Sequence, residues 1–267
     1  MRRADNRRMV EAVHSTVTIC GAAIPMKRAG AGQPMLVLHG AGGSPRFLPA
    51  MQKLAERFEV FIPQAPGFGG TPVPDWLESI ADVANFYLEF LDMFDLKAVH
   101  LVGLSLGGWT AAELAIRNSS RLASLTLMDA PGIVAPGIPP RDPARESEEQ
   151  AIRDTYFDPK LAEDAMARAY APGNEAVRTA NRQLVAKLAG QHRYHDDQLQ
   201  AWLYRIRIPT HIIWGANDRL FPPAYGETWA KAIAGARLTV IPRCGHLPIQ
   251  EQPDIFAAAV GDFCAQV

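Results

Sequence analysis

The sequence predicts an α/β fold, a mostly parallel sheet with helices on both faces and one helical insertion. Three observations carry that prediction. Short apolar runs rich in Val, Ile and Leu recur between longer stretches of helical period. The rhythm stops after Pro131 and does not resume until Ile208. A glycine-flanked serine, Ser105, joins one apolar run directly to a helical pattern.

Taken in order, the first residues, MRRADNRRMVEAVHS, carry four arginines, and no apolar stretch of the kind a secretory signal needs follows them. They read as a solvated tail. The clearest strands are PMLVLHG (34–40), FEVFIP (58–63), AVHLVGLS (98–105), LASLTLMDA (122–130), PTHIIWGAND (209–218) and ARLTVIP (236–242). Between them, SIADVANFYLEFLDMF (79–94) puts Ile80, Val83, Ala84, Tyr87, Leu88 and Leu91 on one helical face. LGGWTAAELAIRNS (106–119) reads as a helix that starts where a strand ends. After Pro131 a segment rich in Pro and charge gives way to helical stretches near 148–157, 160–170, 175–189 and 196–205. Residues 132–206 are therefore expected to form a helical lid over the C-terminal edge of the sheet, where open α/β sheets bind ligands. Residues 1–131 and 207–267 remain as the core domain.

Composition narrows the setting. A chain of 267 residues that is 48% hydrophobic can bury a substantial core. Its net charge of −1 supplies no electrostatic attraction to nucleic acid or to an anionic membrane. The three cysteines, Cys20, Cys244 and Cys264, form no C-x-x-C pair, so a disulfide framework and a thiolate zinc site are both unexpected and a reducing cytoplasm is the expected home. No run of ~18 apolar residues marks a membrane helix.

The chemistry concentrates at loops. In Gly103-Leu104-Ser105-Leu106-Gly107-Gly108 a strand turns straight into a helix, and a turn that tight crowds the positions two before and two after the serine, which is why glycine stands there. A serine hydroxyl needs a base and a group to orient that base. His246, in the loop after the last strand, is the candidate base. Asp218, at the end of the penultimate strand, is the candidate acid, with Asp129 at the end of the preceding strand as its rival. Asp218 also suits a plain turn-capping role before Pro222. Oxyanion donors are expected from the backbone N–H groups of Leu106 and of Ala41, with Gly42 as second choice, since His39-Gly40-Ala41-Gly42-Gly43 follows a central strand with little side-chain bulk. His39 itself reads as a structural hydrogen-bonder. Trp109 and Leu247 are candidate pocket walls, with core packing the competing role for Trp109.

Together HGAGG, PGFGGT (66–71), GLSLGG, GANDRLFPP (215–223) and RCGHLPIQEQP (243–253) resemble the α/β-hydrolase family, in its capped, cytosolic esterase-like branch near the meta-cleavage-product hydrolases. The similarity covers roughly residues 15–265. It implies an eight-stranded-type sheet, with Ser105 as nucleophile, Asp218 as acid, His246 as base, and Ala41 with Leu106 at the oxyanion hole. PGFGGT would be a structural turn. Dehalogenase and epoxide-hydrolase relatives carry aspartate where Ser105 stands. Carbon–carbon hydrolases of meta-cleavage products carry Asn before the nucleophile and Trp after the histidine, where this chain has Leu104 and Leu247.

The expected activity is serine-dependent hydrolysis of carboxylic esters or related small acyl compounds, with no metal and no organic cofactor. Carbon–carbon cleavage of a vinylogous diketone is the rival within the fold, and a slow or inactive small-molecule receptor is the rival outside enzymology. His192, His195 and Asp196, close in sequence on the insertion, read as polar surface and not as a metal site.

Overall fold

In a computed structural model, which describes residues 10–44, 46–141, 146–189 and 193–267, the chain builds one eight-stranded sheet. The strands are β1 (Val13–Ile19), β2 (Ala22–Ala29), β3 (Pro34–Leu38), β4 (Glu59–Pro63), β5 (Val99–Leu104), β6 (Leu122–Met128), β7 (Thr210–Gly215) and β8 (Arg237–Ile241). Their spatial order is β1-β2-β4-β3-β5-β6-β7-β8. β1 and β2 pair antiparallel, as do β2 and β4, and every other pairing is parallel.

Helices cover both faces because the central strands bury both. α1 (Pro49–Ala55), α9 (Pro248–Glu251) and α10 (Pro253–Cys264) share one core with Met35, Val37, Val102 and Met128. α2 (Ile80–Met93), α3 (Leu106–Arg117) and α8 (Ala224–Ala232) share the other with Leu36, Leu38, Leu101 and Leu127. Alternate residues of β3 thus go to opposite cores, as the period of two requires. α2 starts where its sequence says it should: Ser79 and Asp82 form a capping box, Ser79 Oγ accepting from the Asp82 N–H and the Asp82 carboxylate accepting from the Ser79 N–H.

Between β6 and β7 the chain forms α4 (Glu148–Thr155), α5 (Pro159–Ala169), α6 (Glu175–Leu188) and α7 (Asp197–Trp202), followed by a 3-10 turn at Leu203–Arg205. These helices coincide with the four stretches read from the sequence. Among the described residues no helix is long and apolar enough to cross a membrane.

Two expectations need correction. The segment read as a solvated tail ends earlier, because Val13–Ser15 already belong to β1. β1 and β2 are a hairpin whose two-residue turn, Cys20-Gly21, has positive φ at both positions (49° and 76°), the geometry that matches the twist of a hairpin. Cysteine is an unusual occupant of such a turn, and most of β1 is exposed, so neither the turn chemistry nor the hydrophobic alternation marks it. The second correction concerns strand ends. β5 and β6 stop before Ser105 and Asp129, whose N–H groups still bond the neighbouring strand but whose φ of 52° and 45° ends the extended backbone. The chain bends out of the sheet at the residues that carry polar chemistry.

Candidate active site

Ser105 sits between β5 and α3 with φ 52° and ψ −119°, a conformation that L side chains rarely adopt. Crowding explains the flanking glycines. A Cβ on Gly103 would lie 2.5 Å from the Gly107 carbonyl oxygen, and one on Gly107 would lie 2.3 Å from the Leu38 carbonyl oxygen. Ser105 N–H keeps the last bond to β6, donating to the Met128 carbonyl at 2.8 Å, and the turn is closed by Gly108 N–H donating to the Ser105 carbonyl at 2.7 Å.

The structure brings Ser105, His246 and Asp218 together. Ser105 Oγ lies 2.7 Å from His246 Nε2, and His246 Nδ1 lies 2.7 Å from Asp218 Oδ2. Asp218 and His246 are buried. The other carboxylate oxygen of Asp218 accepts the Leu220 and Phe221 N–H groups at 2.8 and 3.0 Å. The turn-capping role and the contact with His246 therefore coexist, one on each oxygen, and the cap orients the carboxylate. Asp129 lies behind this pair, fully buried, with Oδ1 accepting the Gly215 N–H at 2.9 Å.

Leu106 is the first residue of α3, so its N–H has no acceptor within the helix. Ala41 and Gly42 are the central residues of a turn in which Gly43 N–H donates to the Gly40 carbonyl at 3.1 Å. That turn runs beside the serine: a Cβ on Gly40 would sit 3.2 Å from Ser105 Cβ. His39 braces it from below. Its Nε2 accepts the Ala65 N–H at 2.8 Å, so the ring proton belongs on Nδ1, which donates to the Gly40 carbonyl at 2.8 Å. Burial holds the His39 pKa down to about 4, which keeps the ring neutral.

Trp109 is 2% exposed, donates from its indole N–H toward Glu113 at 3.4 Å, and packs where a Cβ on Gly132 would meet its ring. It lies within the core. Leu247 is half-buried beside His246. In the insertion, His195 Nε2 is 3.9 Å from Asp197, and Asp196 caps α7 by accepting the Gln198 N–H. His192 lies outside the described residues. One cluster of possible metal ligands occurs among the described residues, Asp129, Asp218 and His246, and there the contact between Asp218 and His246 already occupies one atom of each.

Sequence reasoning missed the groups that tie the insertion to these loops. Asn181 of α6 accepts the Gly69 N–H at 2.9 Å and donates to the Gly42 carbonyl at 3.3 Å. Glu251 of α9 accepts the Gly245 N–H at 2.7 Å through one oxygen and the Phe157 N–H at 2.8 Å through the other. Arg219 donates to the Arg153 and Tyr156 carbonyls, and the His246 N–H donates to the Thr155 carbonyl at 2.8 Å. Apart from Glu251 to Gly245, each contact spans more than 60 residues of chain, and no local pattern announces it.

The model of the alpha/beta hydrolase family matches residues 35–259. The chain belongs to the alpha/beta hydrolase family. Among its relatives, this hydrolase is similar to a 2-hydroxymuconate semialdehyde hydrolase of Pseudomonas sp. (strain CF600), with 30% identity over 89% of each chain. It is also similar to lipase 1 of Psychrobacter immobilis, 27% identical over 84% of this chain and 74% of the lipase. The crystal structure of a serine hydrolase involved in carbazole degradation superposes on it with a TM-score of 0.78, covering 96% of this chain and 100% of that one at 24% identity, which shows the shared fold.

Proposed function

We propose that this hydrolase cleaves carboxylic esters or related small acyl compounds through a covalent acyl-enzyme on Ser105. The observation that carries the reading is the pair of 2.7 Å contacts linking Ser105, His246 and Asp218. Ser105 Oγ attacks the acyl carbonyl while His246 Nε2 takes its proton. Asp218 holds the imidazole by its other nitrogen and stabilises the imidazolium. The oxyanion lies against the N–H groups of Leu106 and Ala41, with Gly42 as the alternative donor. His246 returns the proton to the leaving group, and water then releases the acyl group by the same steps in reverse order. The helices of residues 132–206 act as a lid, with Leu247 beside the reacting atoms. No metal or organic cofactor enters these steps.

Carbon–carbon hydrolysis is the second reading, favoured by the 30% identity to the 2-hydroxymuconate semialdehyde hydrolase. Leu104 and Leu247, apolar where relatives of that type carry Asn and Trp, favour the ester. A fluorophosphonate probe followed by a panel of nitrophenyl esters tests the first reading. Labelling confined to Ser105, and turnover lost in Ser105→Ala, is the expected result. Turnover of 2-hydroxy-6-oxo-6-phenylhexa-2,4-dienoate in the absence of ester turnover would establish the second.

A further inference from the structure

Asp129 stands out among the buried groups that the proposed chemistry does not use. It is fully buried, its backbone is held at φ 45°, no donor among the described residues reaches its Oδ2, and the Asp218 carboxylate is the side chain its carboxyl can donate to. Its carboxylate, that of Asp218 and the His246 ring offer atoms that all lie within 4.8 Å of one another. A buried carboxylate with one bare oxygen beside a second carboxylate is costly if both are ionised.

The donors say which of the two keeps its charge. Asp218 accepts three, the N–H groups of Leu220 and Phe221 and the ring N–H of His246. Asp129 accepts one, the Gly215 N–H on Oδ1. Charge belongs on the better-solvated group, so the proton belongs on Asp129 Oδ2. Burial first, and then the charge of Asp218, pushes the Asp129 carboxyl well above the usual carboxylate range. The other titratable groups around it do not offset this. Glu251 on α9 is acidic, and Cys244, in the loop before His246, is itself pushed up by burial and by the same carboxylates.

We infer that Asp129 is a positioning residue, held as a neutral carboxylic acid against the Asp218–His246 pair so that His246 rests unprotonated and ready to act as a base. The inference rests on the reading of His246 as the base. With Asp129 neutral, one carboxylate faces one imidazole, and the imidazolium formed during attack leaves the cluster neutral. Two ionised carboxylates would instead draw a proton onto His246 at rest and silence it. Asp129 keeps its proton throughout.

Asparagine is neutral, can donate from the position of Oδ2 and tolerates positive φ, so Asp129→Asn should preserve the arrangement. Alanine removes the donor. The expected result is kcat/KM within about threefold of native for Asp129→Asn, with the acidic limb of its pH profile unmoved. Asp129→Ala should shift that limb to higher pH and lower kcat on the order of tenfold, because Asp218 loses the carboxyl O–H of Asp129 and holds the imidazolium more strongly. Infrared difference spectra at neutral pH should show the C=O stretch of a protonated carboxylic acid in the native protein and its loss in Asp129→Asn. Absence of that band overturns the inference, as does an acidic limb displaced in Asp129→Asn or unmoved in Asp129→Ala. If the alanine variant does not fold, the asparagine limb and the infrared band decide. Because the band needs no turnover, it still reports on Asp129 if Ser105→Ala shows the proposed catalysis to be wrong.

Discussion

Asn181, on a helix of the insertion, donates to the carbonyl of Gly42, 139 residues earlier in the chain, at 3.3 Å. Its other amide atom holds the Gly69 N–H, so one side chain links the insertion to two glycine-rich loops of the core. Asn181→Ala removes the hydrogen bond to the Gly69 N–H, worth about 0.5–1.5 kcal/mol, and frees the turn that carries Ala41 and Gly42. A lower melting temperature and a several-fold fall in kcat at little changed KM are expected. Asn181→Asp keeps the acceptor for Gly69 but sets a carboxylate against the Gly42 carbonyl. Steady-state kinetics should show it to be at least as impaired in kcat.

Asp218→Asn tests the proposed acid. The amide retains acceptor capacity for Leu220 and Phe221, so the fold should survive. It can also donate to His246 Nδ1 and so favour the wrong tautomer, and kcat for ester hydrolysis should fall by about 10³–10⁴. Thermal unfolding measured alongside the kinetics separates this effect from loss of structure.

His39 makes stability depend on pH. Its folded pKa is depressed to about 4 from 6.5, so below 6.5 the unfolded chain takes up a proton that the folded protein refuses. Stability is therefore lost as pH falls from about 6.5 toward 4, by on the order of 3 kcal/mol at the end of that window. His211, likewise held down to about 4 by burial, adds in the same direction. Urea unfolding at several pH values should show this loss. His39→Gln, which cannot titrate, should be less stable at neutral pH and lose less on acidification.

Gly40→Ala separates geometry from stability. The added methyl meets the Leu104 carbonyl oxygen and Ser105 Cβ at 3.2 Å each, a contact relieved by a shift of a few tenths of an ångström. Such a shift displaces the turn from the serine, and kcat should drop about tenfold while the melting temperature changes little. In Gly107→Ala the methyl falls 2.3 Å from backbone, so loss of soluble folded protein is expected there.

The residues themselves determined the layered α/β fold, the break after Pro131 and the strand-to-helix turn at Ser105, because each rests on short-range physics. Apolar periodicity, capping boxes and glycine at crowded turns act over a few residues and can be read along the chain. The loop position of His246 was equally legible. Spacing along the chain left Asp218 and Asp129 level and only the family resemblance preferred Asp218; which carboxylate lies against that histidine is a matter of tertiary structure, since both follow strands at the same sheet edge and differ in the donors that the fold brings to them. It also decided that Trp109 is packed in the core, and that Asn181, Glu251 and Arg219 join segments far apart in sequence. A hydrogen bond across 60 residues or more leaves no local trace, because the backbone groups it satisfies are identical in every residue and only the fold determines which of them meet.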